Sequence, residues 1–213
     1  MDGETGLPVS FDFKKEYEED LLVHCNLGGG YNPLKILNKL CLQPAVAAHV
    51  SAKIRPLGRD YCAVHVRNTD YRTDYMLFFK SIQAKVAGRT LLVCSDDRNC
   101  REAARKFFTE CKVVTVADIP DTGGSPLHFY EASDMYRKNL DMLTDLFALA
   151  GAGELFFTRV AQGVYSGFSA LAYALHRRPD IVKRLFGEKA TPADICPAVL
   201  RSVPVWFFRK KIR

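Results

Sequence analysis

The chain has 213 residues, of which 48% are hydrophobic, and a net charge of +6 at pH 7. This length and hydrophobic fraction suit one large α/β domain with a normal core and exclude intrinsic disorder. The positive charge favours an anionic ligand, but the basic residues outside the closing RKKIR segment are interspersed with acids, so we predict no nucleic-acid partner.

The predicted elements alternate between helix and strand once the polar N-terminus has passed. A short apolar run, LLVHC, and a turn-rich NLGGGYNP precede them. Apolar runs of strand length predict strands at 61–66, 89–97, 112–116, 154–158 and 203–208. Helical periodicity predicts helices at 33–55, 74–85, 99–110, 131–150 and 166–176. This alternation predicts an α/β fold, a Rossmann-like parallel sheet with helices on both faces.

Two regions follow from this pattern. Residues 61–213 form the predicted main domain with a C-terminal extension, and residues 1–60 an N-terminal segment. A second Rossmann-like lobe needs on the order of 100 residues, so we predict that the segment packs onto the main domain, with LLVHC as a strand or part of the hydrophobic seam.

The seven cysteines and the N-terminal sequence allow a prediction of the cellular compartment. The cysteines show no CxxC pair and no metal-like spacing, which favours reduced thiols and no metal site. The acidic, polar start is unlike a secretory signal, and no apolar run approaches the ~18 residues of a membrane span. We therefore predict a cytoplasmic protein without a transmembrane segment, and self-association is left open.

Polar residues gather where the predicted strands end, which is where parallel sheets bind ligands. Each also has an ordinary structural interpretation. His65 suits a buried core histidine, Arg67 suits an ion pair with Asp70 or Asp74, and the Asp96–Asp97 pair suits a helix cap. The GGG at 28–30 lacks a phosphate-loop pattern and favours a flexible turn.

Four motifs taken in order resemble one family. VHVRNTD, CSDD followed by REAARKFF, RKNLDMLTDLFALAGAGELFFT and YSGFSALAYAL are similar to the donor half of fucosyltransferases of the α1,6, α1,2 and protein O-linked types. The resemblance covers about residues 60–178. It implies the GDP-sugar-binding lobe of a two-lobed GT-B fold, a GDP-fucose donor, a glycan or glycoconjugate acceptor, inverting transfer, and no metal or other cofactor.

The resemblance also implies roles at the phosphate end of the donor. Arg67 matches the arginine that binds the diphosphate, and a bidentate guanidinium stabilises a leaving diphosphate well. The start of the SGFSALA helix matches the element that meets the phosphates, where unpaired amides attract anions. Its predicted donor-binding residues are Ser166, Gly167, Phe168 and Ser169.

At the nucleoside end, His65 matches the histidine that lies against the nucleoside, and Asp145 matches the carboxylate that recognises guanine. A carboxylate can accept from both N1–H and the exocyclic amine of guanine, a donor pair that adenine lacks. The element near the donor corresponds to Ser95, Asp96 and Asp97. Asp74 falls near the family's acidic base, in a loop one residue shorter.

Two departures keep alternatives open. Asn68, included in the predicted donor site, stands where many relatives carry a second arginine, and only some 60 residues precede the donor motifs. The alternative to a transferase is therefore a non-catalytic nucleotide-sugar-binding or interaction module. A third interpretation is an unrelated doubly wound domain with a structural Arg67.

Overall fold

The computed structural model describes residues 34, 36–58, 60–70, 72–120, 122, 124, 126–127, 130–158 and 166–187, and the backbone of 205–208. The strands are β1 (Cys62–Val66), β2 (Thr90–Ser95), β3 (Lys112–Val114), β4 (Glu154–Thr158) and β5 (Val205–Phe208). The helices are α1 (Pro44–Ile54), α2 (Tyr75–Val86), α3 (Arg98–Phe107), α4 (Met135–Ala150), α5 (Gly167–His176) and α6 (Pro179–Phe186). The run LLVHC lies outside the described residues.

The sheet has the order β3-β2-β1-β4-β5, and all four strand pairs are parallel. The predicted parallel α/β sheet is confirmed, with β1 at its centre. The chain runs outward from β1 to β3 and then returns to β4 on the other side of β1. The point between β1 and β4, where the direction reverses, is where such sheets open a crevice for ligands.

Both faces of β1 are buried, which explains the continuous apolar character of this strand. Cys62, Val64 and Val66 pack with α2 and α3, whereas Ala63 packs with α1, α4, α5 and α6. All five residues of β1 are buried. A strand covered on both faces reads as an unbroken apolar run, and His65 interrupts that run near its carboxyl end.

Aspartates are the N-cap residues of three of the described helices. Asp74, Asp97 and Asp134 each accept a backbone N–H from the first turn of α2, α3 and α4. These side chains satisfy amides that a helix start would otherwise leave unpaired. The Asp134 cap also explains why α4 starts at Met135 and not at residue 131 as predicted.

Helix α6 was not predicted, although its signals are in the sequence. Pro179 occupies its first turn, and Ile181, Val182, Leu185 and Phe186 form one buried face. The predicted helix 33–55 is interrupted: residues 34, 36 and 37 are helical, residues 38–43 are not, and α1 starts at Pro44, which lacks a backbone N–H and suits a first helical turn.

The described part of the N-terminal segment contacts the main domain. Ala47, Val50 and Ile54 of α1 belong to the hydrophobic cluster beneath α4, and Leu42 N–H donates to the Leu185 carbonyl at 2.7 Å. How the rest of residues 1–60 packs stays a prediction.

No helix within the described ranges is both long and apolar enough to cross a membrane. The five cysteines in the same part of the chain, Cys41, Cys62, Cys94, Cys100 and Cys111, are free thiols.

We expect the centre of the sheet to dominate stability. Leu155 on β4 is 0% exposed, so Leu155→Ala should lower the free energy of unfolding by ~2–5 kcal/mol through lost burial and a residual cavity. Urea unfolding measures this, with Leu77→Ala, a 43% exposed leucine on α2, as the control at within ~0.5 kcal/mol. Equal effects of the two substitutions would contradict the assigned core.

Candidate functional site

A cavity of about 680 Å³ opens at the carboxyl ends of β1 and β2, a volume in the range of small-molecule sites. Its walls come from these strand ends, the loop after β3, the N-terminal half of α4 and the start of α5. The lining residues that matter below are His65, Arg67, Ser95, Asp96, Arg101, Asp118, Arg137, Asp141, Asp145 and Phe168.

Arg67 follows β1 and is held by two carboxylates. Its Nε and Nη2 donate to Oδ1 and Oδ2 of Asp70 at 2.7 and 2.9 Å, and Nε lies 3.1 Å from Asp96 Oδ2. The structural ion pair considered from the sequence is therefore present, with Asp70 and not Asp74. Because Arg67 also lines the cavity, the ion pair and a ligand role are compatible.

Asp96 joins the tips of β1 and β2. Its Oδ1 accepts the Asn68 N–H at 2.8 Å, and its Oδ2 accepts the Thr69 hydroxyl at 2.6 Å. The residue is only 5% exposed, so its charge depends on these donors and on Arg67. Asp96 thereby fixes the backbone from which Arg67 projects.

Asn68 is a structural residue of the same loop. Its Nδ2 donates to Asp97 Oδ2 at 2.7 Å, and its Oδ1 accepts the Thr73 N–H at 2.8 Å. Asn68 and Asp97 are not among the residues that line the cavity. An arginine at this position could not accept the Thr73 hydrogen bond, because a guanidinium has no acceptor.

His65 and the start of α5 meet across the reversal point between β1 and β4. His65 Nδ1 lies 2.7 Å from Ser169 Oγ, and its ring centroid lies 5.1 Å from that of Phe168. Burial, together with the nearby positive charges of Arg67 and Arg101, lowers the pKa of His65 to about 3. The imidazole is therefore neutral at physiological pH and presents an aromatic wall to the cavity.

Asp145 lies on α4 at the other side of the cavity. Its Oδ2 accepts from Arg101 Nη2 at 3.0 Å, whereas its Oδ1 has no hydrogen-bond partner among the described residues. Burial raises the pKa of Asp145 to about 6, although Arg101 opposes the shift. A buried carboxylate oxygen without a partner is unusual in a folded protein, which marks Asp145 as a candidate functional residue.

Of the other predicted site residues, Ser95 lines the cavity but Ser166 and Gly167 do not. Ser95 lines the cavity, and its Oγ accepts the Asp97 N–H at 3.1 Å. Ser166 is the N-cap of α5 but makes no capping hydrogen bond with its side chain, and neither it nor Gly167 is a lining residue.

Asp74, the predicted base, is exposed and does not line the cavity. Its carboxylate accepts the Leu77 N–H at 3.0 Å as the N-cap of α2. The structure therefore gives Asp74 a capping role, and a catalytic role for this residue stays a prediction.

Sequence reasoning missed several cavity residues, above all Arg101, Arg137 and Asp141. Arg101 had a signal, since it falls on the buried face of α3 between Cys100 and Ala104. The α4 residues had none, because a charged helix face usually points to solvent. The described residues contain no group of three or more His, Cys, Asp or Glu able to hold a metal.

No known family model matches the chain, and no curated protein matches it. The resemblance to fucosyltransferases therefore rests on the quoted motifs alone.

We expect Asp96 to support both the strand tips and the Arg67 loop. Asp96→Ala leaves Arg67, Thr69 and the Asn68 amide without a shared acceptor and should cost about 2–4 kcal/mol of unfolding free energy. The control Asp118→Ala, whose side chain is 90% exposed, should cost less than ~1 kcal/mol in chemical denaturation. A near-neutral Asp96→Ala would refute the role of this carboxylate in holding the loop.

Proposed function

We propose that the cavity binds the GDP part of a nucleotide sugar and that the protein transfers fucose or a related sugar from it to a glycan hydroxyl, with inversion. One observation carries the proposal: His65, Arg67 and Asp145, which the motifs assign to nucleoside, diphosphate and guanine, line the same cavity although they are far apart in the sequence.

The base end supports a purine with adjacent donors. Asp145 contributes a carboxylate to the cavity lining, and the neutral His65 beside Phe168 provides a flat aromatic surface for a base. An ionised carboxylate accepts from the N1–H and amine of guanine, whereas adenine presents an acceptor at N1. This chemistry favours GDP over ADP.

The phosphate end combines a cation with a helix start. Arg67 lines the cavity, and the N-terminus of α5 begins at Gly167, beside the lining residue Phe168. Guanidinium donors and unpaired helix amides both favour phosphate oxygens. A bound diphosphate would compete with Asp70 for Arg67, since Asp70 engages two of the arginine nitrogens.

In a transfer reaction, a base would take the proton from the acceptor hydroxyl while the oxygen of that hydroxyl attacks the anomeric carbon of the donor sugar. GDP would leave with the electrons of the broken bond. Asp74 would have to release the Leu77 amide to serve as that base. Its capping position favours a second candidate function, a nucleotide-sugar-binding module without transfer. Release of GDP from GDP-fucose in the presence of glycan acceptors would separate the two functions.

We expect the protein to bind GDP more tightly than ADP at neutral pH, and the GDP affinity to fall as the pH drops through about 6, where Asp145 takes up a proton. Asp145→Asn should abolish the preference and this pH dependence, with a loss of about 1.5–3 kcal/mol in GDP binding. Calorimetric titration across this pH range measures both. Asp180→Asn, an exposed aspartate on α6, is the isosteric control, and equal GDP and ADP affinities would reject guanine recognition.

We expect Arg67 to dominate diphosphate binding. Arg67→Lys keeps the charge but loses the planar fork, and Arg67→Ala loses both, which typically costs ~2–5 kcal/mol for one partner of a desolvated charge pair. GDP titrations beside thermal melts of each variant measure binding and folding separately. A folded Arg67→Ala protein that binds GDP as the wild type does would leave Arg67 with its ion-pair role alone.

A further inference from the structure

Arg101 is a buried cation on α3, with a side chain only 7% exposed. It lies between Cys100 and Ala104 on the face of the helix that packs against the sheet. Burying a guanidinium is costly unless its donors and its charge are matched, so its contacts indicate what the protein gains from it.

Those contacts join two walls of the cavity. Arg101 Nη1 donates to the Ala117 carbonyl at 2.6 Å, in the loop after β3, and Nη2 donates to Asp145 Oδ2 at 3.0 Å, on α4. Ala117, Asp145 and Arg101 all line the cavity. One planar group therefore sets the position of the loop relative to the carboxylate, and it occupies only one of the two carboxylate oxygens.

Among the described residues, Arg101 is the cation that forms an ion pair with Asp145. The Cys94 thiol faces the carboxylate from β2, and Asp141 faces it from one turn earlier on α4. Burial and Asp141 raise the pKa of Asp145, while Arg101 and the neighbouring Cys94 thiol lower it. Burial raises the pKa of Cys94 well above its usual value, so the thiol stays protonated. Without Arg101, the balance shifts towards a neutral Asp145.

We propose that Arg101 is the positioning residue of the base subsite: its hydrogen bonds to Asp145 Oδ2 and to the Ala117 carbonyl orient the Asp145 carboxylate in the cavity wall, where it accepts from the ligand. The proposal rests on the proposed function in taking a guanine nucleotide as the ligand. The effect of Arg101 on the charge of Asp145 does not depend on that choice.

The test compares Arg101→Met and Arg101→Lys with a matched control. Arg105 lies one turn later on α3, is exposed and is not a lining residue, so Arg105→Met removes the same charge from the same helix. With GDP and ADP as probes in calorimetry, Arg101→Met should reduce the GDP-to-ADP preference at neutral pH by at least about tenfold, which corresponds to ~1.4 kcal/mol. The control should retain the wild-type preference.

The pH dependence distinguishes positioning from mere structural support. In Arg101→Met the pH below which GDP binding weakens should move upward, because Asp145 then holds its proton to higher pH. Arg101→Lys keeps the charge, so the pH below which GDP binding weakens should stay near the wild-type value. The same variant loses the two-pronged geometry, so its preference for GDP over ADP should still fall. If the Met variant fails to fold, the Lys variant still tests the orienting role through the base preference alone.

A second readout needs no nucleotide. The side-chain carboxyl resonance of Asp145, assigned by its loss in Asp145→Asn, reports the protonation of this residue by NMR in the full chain. If the wild type shows no GDP preference, the proposed function fails, yet an upward shift of the Asp145 titration in Arg101→Met would still support the charge-holding role. An unchanged titration together with an unchanged nucleotide preference would overturn the proposal.

Discussion

The carboxylate of Asp96 is the constraint on which the site depends. It is buried at the tip of β2, and the donors that satisfy it come from Arg67, Asn68 and Thr69, which directly follow β1. A buried charge without such donors would be strongly unfavourable, so the tips of the two central strands and the loop between β1 and α2 form one unit. These contacts fix the relative positions of the residues that form the floor of the cavity.

The two ends of the cavity use charge differently. At the Arg67 end, Asp70 and Asp96 already balance the guanidinium, so an anionic ligand gains by exchanging with Asp70 and not by meeting an isolated cation. At the Asp145 end, burial and Asp141 favour a neutral acid and Arg101 favours the carboxylate. Small changes around Asp145 would alter its protonation and therefore what the cavity can recognise. The charge of Arg67, by contrast, is balanced through several hydrogen bonds.

The overlap between the motif-based site and the cavity is partial, and the pattern of agreement has a physical basis. Residues at the end of β1, such as His65 and Arg67, reach the cavity because parallel strands bring their carboxyl ends to one edge. Asn68, Asp74 and Asp97 lie slightly further along the chain and are used for turns and helix caps. Short polar residues near helix starts serve capping well, which makes them poor indicators of a ligand site when taken alone.

The sequence by itself determined the local elements and their order, because apolar runs, helical periodicity and capping aspartates act over a few residues. It predicted the strand at 61–66, which the structure shows to be buried, and it placed His65, Arg67 and Ser95 at strand ends. Only the tertiary structure decided which polar residues meet. Arg101 and Asp145 are joined by a hydrogen bond between different helices, and Arg67 is paired with Asp70 and Asp96 and not Asp74. Such pairings depend on the distance and solvent exclusion that packing creates, and neither is encoded in the spacing of residues along the chain.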